Sequence, residues 1–126
     1  MPVAYMSSIA EFEEFYTAHQ SDPVFIAIFK GTKDPETGED WCDDCAAADP
    51  FIQAGIQKSI HPAIAYCSVG LRDEWKNRPD NPFRTNNKTR LRSVPTLIRF
   101  QSGSEIVRLE ERQLTHQAII DEIFTN

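Results

Sequence analysis

Two cysteines, Cys42 and Cys45, stand two residues apart in the stretch Trp41-Cys42-Asp43-Asp44-Cys45, and that spacing supports two chemistries. The pair can supply half of a four-ligand zinc site, or it can cycle between a dithiol and a disulfide. Zinc needs about four ligands. The remaining candidates are Cys67, His19, His61 and His116, none of them paired with another at finger-like spacing. The ligand count therefore weighs against zinc, and no metal-binding residue is assigned. Redox chemistry needs a strand, a turn carrying the first cysteine, and a helix running away from it.

The flanking sequence has that frame. Val24-Phe25-Ile26-Ala27-Ile28-Phe29 is apolar without alternation, the pattern of a strand buried on both faces. Lys30 to Asp40 is polar and rich in breakers, and reads as a surface loop. Asp43 and Asp44 suit the first turn of a helix, where carboxylates oppose exposed N–H dipoles, and Ala46, Ala47 and Ala48 extend it. Pro50 predicts a kink, with Phe51, Ile52 and Ile56 still facing a core beyond it and His61-Pro62 ending the helix.

Upstream, Ser8 to Glu11 has the form of a capping box, and Ile9, Phe12, Phe15 and Tyr16 mark a first helix from Ile9 to about His19. Downstream, Ala63 to Val69 reads as a second buried strand, Leu71 to Pro82 as a solvated loop, and Phe83 to Asn87 as a short helix. Thr96 to Phe100 and Ile106 to Leu109 form a hairpin across Gln101-Ser102-Gly103-Ser104. A closing helix starts near Thr115 as N-cap and buries Ile119, Ile120, Ile123 and Phe124. These elements predict an α/β fold, a central mixed β-sheet flanked by helices on both faces, with residues 1–126 as one domain.

Composition narrows the function. The chain of 126 residues is 40% hydrophobic and 25% charged, the balance of a soluble globular protein able to bury its own core. A formal net charge of −6 argues against nucleic acid or an anionic membrane as partner. Met1 to Met6 passes at once into Ser7, Ser8, Glu11 and Glu13, so no secretory leader is expected. Nothing approaches the roughly eighteen apolar residues of a membrane span. Three cysteines in such a chain fit a reducing compartment, where a Cys-x-x-Cys pair is catalytic or metal-binding, and the expected location is cytoplasmic.

Four features coincide in order along the chain. A buried strand precedes Trp41-Cys42, a helix with Pro50 follows Cys45, Val94-Pro95-Thr96 comes later, and a hairpin and helix close the chain. This set resembles the thioredoxin fold, with Pro95 where that fold places its cis-proline. The long loop Phe29 to Asp40, the stretch Tyr66-Cys67-Ser68-Val69-Gly70, and Trp75-Lys76 with Asn81-Pro82-Phe83-Arg84 more closely resemble the thioredoxin domain-containing protein 17 family. That family carries Trp-Cys-Pro-Asp-Cys, and this chain has Asp43 in place of the proline. The resemblance implies a disulfide reductase for disulfide-containing proteins and small disulfides, cystine included. It implies no bound cofactor, electrons arriving from NADPH through thioredoxin reductase. It also implies a narrower substrate range than thioredoxin, from the longer loops, and a monomer.

Within that fold Cys42 is the nucleophile, partly exposed at a helix N-terminus, a position that in thioredoxin lowers a thiol pKa from about 8.5 toward about 7. Cys45, buried one turn later, resolves the mixed disulfide, so the two form the redox-active disulfide. Asp43 acts against the thiolate. A carboxylate roughly 7 Å away, at an effective dielectric near 40, raises its energy by on the order of 1 kcal/mol. The helix terminus offers about 0.3–1 kcal/mol in return.

Thioredoxins keep a buried aspartate on the strand before the site as proton acceptor for the second cysteine. Val24 to Phe29 contains no carboxylate, and Asp44 is assigned that role. Trp41 and Asp43 flank the thiols on the substrate side. Val94 and Pro95 form an edge that pairs with a substrate strand, since trans X–Pro is favoured by only about 0.5–1 kcal/mol and a fold can select cis. Cys67 reads as a buried structural thiol. Two other functions compete: a redox-weak adaptor that binds a protein partner, and a glutathione-dependent, glutaredoxin-like enzyme. The intact Cys-x-x-Cys argues against the first, and Asp-Asp between the cysteines argues weakly against the second.

Overall fold

A computed structural model describes residues 3–126. Its central strand, β2 (Phe25–Lys30), explains the unbroken apolar run. Phe25 to Phe29 are all fully buried. The pleat sends Phe25, Ala27 and Phe29 into one core and Ile26 and Ile28 into another, so both faces are covered and no alternation is needed. β2 pairs in parallel with β3 (Ile64–Ser68), which pairs in parallel with β1 (Ala4–Met6). On its other side β2 meets β4 (Thr96–Gln101) antiparallel, and β4 meets β5 (Ser104–Glu110) antiparallel. The order is β1-β3-β2-β4-β5, a five-stranded mixed sheet with helices on both faces.

One core holds α1 (Ile9–His19), whose Phe12 is fully buried, with Ile9, Phe15 and Tyr16 partly buried against it. Phe25 and Phe100, paired in the β2–β4 register, stack at 4.6 Å and anchor this layer. The other core holds α2 (Asp43–Lys58) and α5 (Gln117–Thr125). The hairpin turns at Ser102 and Gly103, both at positive φ (51° and 81°), the geometry whose twist matches the flanking strands.

Several expectations are corrected. α2 runs from Asp43 to Lys58 with Pro50 inside it, and it ends at Lys58, three residues before His61-Pro62. Pro50 and Ala46 are both exposed, so the Ala46 carbonyl that lacks a donor is open to water. Ile119, expected in the core, is 42% exposed, while Ile120, Ile123 and Phe124 are buried. A 3₁₀ turn (Glu111–Thr115) precedes α5, so the cap falls at His116 rather than Thr115. In the Ser8 capping box, Ser8 Oγ accepts from Glu11 N (3.2 Å), but the Glu11 carboxylate takes the Ser7 N–H (3.1 Å).

Leu71 to Pro82 is not simply a solvated loop. It contains α3 (Arg72–Trp75) and leads into α4 (Pro82–Thr85). Trp75 is 4% exposed, and the Arg84 guanidinium lies 3.6 Å over its ring. Asn81 Nδ2 donates to the Val69 and Glu74 carbonyls (3.0 and 2.9 Å).

Candidate active site

Cys42 is the N-cap of α2, with extended backbone (φ −101°, ψ 102°). A residue there leaves the N–H groups of the first turn without helical partners, and its side chain is aimed at them. Cys45 N–H points at Cys42 Sγ (3.2 Å), and Gly31 N–H at Cys45 Sγ (3.5 Å). The two sulfurs are joined in a disulfide, with Cα atoms 5.2 Å apart. Sequence placed Cys42 partly exposed, and the structure corrects this to 7%, with Cys45 at 3%. Cys42 lies on the wall of a groove, and Cys45 faces the core.

That groove, about 380 Å³, brings together Cys42 with the candidates Trp41, Asp43, Asp44 and Val94. Val94 O lies 3.7 Å from Cys42 Sγ, and the Val94–Pro95 peptide is cis. Trp41 is pinned from two sides. Its Nε1–H donates to Gly70 O (3.1 Å), and its ring covers Gly31 so closely that a Cβ there would lie 2.6 Å from it. The contacts that pack the loop therefore also hold the indole at the wall of the groove.

Asp43 and Asp44 are exposed at the mouth of the groove. Asp44 leaves α2 on its solvent side, whereas Cys45 turns into the core, so the structure does not bring that carboxylate onto the Cys45 sulfur.

The carboxylate that holds the backbone of Cys42 is one the sequence placed in the loop. Asp40 has a side chain only 8% exposed. Its Oδ1 accepts the Cys42 N–H (3.1 Å), and its Oδ2 lies 3.6 Å from Lys30 Nζ at the end of β2. The ion pair offsets the cost of burying both charges, and the extra N–H helps satisfy the carboxylate. Lys30 is thus strand, not loop, and Asp40 fixes the turn that presents Cys42.

The remaining walls were also missed: Trp75 and Lys76 from the end of α3, Ser93 before Val94, and Glu111 after β5. Trp75 and Lys76 carried a signal, an aromatic among the basic residues Arg72, Lys76 and Arg78 that could contact a partner or an anionic substrate, in a stretch read by default as a solvated loop. Cys67 is fully buried in β3, where desolvation pushes its thiol far above the usual range, so it is inert in the native fold. Among the described residues, no three His, Cys, Asp or Glu side chains are grouped to hold a metal ion, and no helix is long and apolar enough to cross a membrane.

A family model described as thioredoxin domain-containing protein 17-like, thioredoxin domain, matches residues 6–126. The chain belongs to the thioredoxin domain-containing protein 17 family. It is 34% identical over 122 residues to thioredoxin domain-containing protein 17 of Mus musculus, covering 94% of this chain and 93% of that one. It is 31% identical over 115 residues to the thioredoxin-like protein Clot of Arabidopsis thaliana, covering 89% and 82%. A solved thioredoxin from Nicotiana alata superposes with a TM-score of 0.63 at 15% identity over 97% of this chain and 90% of that one, which shows the thioredoxin fold. This member of the thioredoxin domain-containing protein 17 family carries its Cys-x-x-Cys disulfide at the head of α2, an arrangement that supports a thiol–disulfide oxidoreductase in general terms.

Proposed function

We propose that the protein is a cytoplasmic, monomeric disulfide reductase. It carries electrons from NADPH, by way of thioredoxin reductase, to protein disulfides and to small disulfides such as cystine. The observation that carries this reading is Cys42, at the N-cap of α2, bonded to Cys45 and beside the Val94 carbonyl in an open groove.

In the reduced protein the Cys42 thiolate attacks one sulfur of the substrate disulfide. That S–S bond breaks, a substrate thiolate leaves and takes up a proton, and a Cys42–substrate disulfide forms. Cys45 then gives up its proton and attacks the Cys42 sulfur. This forms the Cys42–Cys45 disulfide and releases the second substrate thiol. The substrate has gained two electrons and two protons, and thioredoxin reductase restores the dithiol with two electrons from NADPH.

The Cys45 N–H at 3.2 Å and the helix terminus favour the Cys42 thiolate. Trp41 supplies an apolar wall, Val94 and Pro95 the edge for the substrate chain, and Asp43 the adjacent charge. Asp44 exchanges protons with the pair through groove water.

NADPH consumption by purified protein with thioredoxin reductase and cystine tests the proposal. The expected result is turnover with the native sequence and none with Cys42→Ser. Absence of turnover, with glutathione and glutathione reductase failing as well, overturns the reading and moves an adaptor role to the front.

A further inference from the structure

We propose that Glu111 is a specificity-determining residue. With Asp43 and Asp44 it makes the groove over Cys42 favour disulfides flanked by lysine or arginine and reject those flanked by acids. The inference rests on the reductase reading.

Glu111 opens the 3₁₀ turn after β5 with φ +53°, a left-handed backbone that residues with a side chain rarely adopt. Such a conformation persists only where surrounding structure imposes it, and here the imposing contact is identifiable. Glu111 N–H donates to Pro95 O (3.0 Å), tying the turn to the strand edge beside Cys42. The result is that Glu111 lines the same groove as the disulfide.

Charge on that groove is lopsided. Asp43, Asp44 and Glu111 face a single amine, Lys76. Among the described residues none of these four side chains joins a salt bridge. The adjacent carboxylate, Glu110, shows the contrast. It pairs with Arg92 (2.6 Å) and lies 4.0 Å from Arg108, so the chain neutralises it internally.

Three carboxylates from two separate segments are thus left free around the one sulfur a substrate must reach. A substrate whose disulfide lies on Cys42 and whose chain passes Val94 brings its flanking residues past them. At separations of roughly 8–9 Å and an effective dielectric near 40, each flanking charge changes the encounter by about five-fold. The effect is screened by salt.

Two short cyclic disulfide peptides, identical except for two lysines or two glutamates flanking the cysteines, form the probe. The full-length protein is reduced, freed of reductant and mixed with each peptide, and the reduced peptide is separated by chromatography over time. The lysine peptide should be reduced at least about ten-fold faster at low salt, and the ratio should collapse in 0.5 M salt. Glu111→Gln should cut the low-salt ratio by about five-fold, and Glu111→Lys should cut it further, with both variants retaining a cooperative thermal transition. A ratio unchanged in Glu111→Gln, or equal rates for both peptides in the native protein, overturns the assignment and leaves the reductase reading intact. Failure of the reduced native protein to reduce either peptide overturns both.

Discussion

Asp43 occupies the first position inside α2, where proline is favoured because its missing N–H would have had no helical partner anyway. Asp43→Pro is therefore a way to delete a charge next to Cys42 without breaking a hydrogen bond of the helix. With the carboxylate gone, the thiolate keeps the helix terminus and the Cys45 N–H and loses a repulsion. The Cys42 titration midpoint, followed by thiolate absorbance in the reduced protein, should fall in Asp43→Pro. A higher midpoint would show that Asp43 supports the thiolate.

At this scale sequence reading was strong where chemistry is local and weak where it depends on contacts between distant residues. Cys42 and Cys45 declare themselves by spacing, and the helix cap that orients them follows within a few residues. Asp40 and Glu111 declare nothing. Asp40 is placed by Lys30 at the end of β2, and Glu111 by the Pro95 carbonyl, both through pairings that only the folded chain creates.

Among the elements, the α2–α5 contact makes the sharpest demand on sequence. Gly55 lies where α2 approaches α5, and a Cβ there would stand 2.7 Å from both Ile120 Cγ2 and Phe124 Cδ2. In an isolated helix Gly→Ala would gain about 1 kcal/mol. Here Ile120 and Phe124 are fully buried and have nowhere to move, so overpacking outweighs propensity. Gly55→Ala should lower stability by about 1–3 kcal/mol in chemical denaturation, and a rise would mean that α5 can slide outward.

The long elements were readable because their patterns are strong. α1 matches its expected bounds, and β2 differs from Val24–Phe29 by one residue at each end. β1 escaped because three residues carry no period, and it exists only by pairing with β3. α3 escaped because a single turn has no face to show. Ile119 misled because a strongly apolar helix shows more apolar residues than its buried face uses.

For the molecule as a whole, the two-sided burial of β2 already implied a sheet covered on both faces, and the thioredoxin architecture follows from adding the terminal hairpin and helix. The shape of the active groove was not implied. It is assembled from four separate stretches of chain: the head of α2, the end of α3, the segment ending in Val94, and the turn after β5. That assembly gathers two other residues, Trp41 and Trp75, and the chain contains only two tryptophans. Both indoles therefore share the groove with the Cys42–Cys45 bond, and a disulfide takes electrons from an excited indole. The protein carries its own optical gauge: its entire tryptophan emission arises from the groove that holds this bond and should brighten when the bond is reduced, with no label attached.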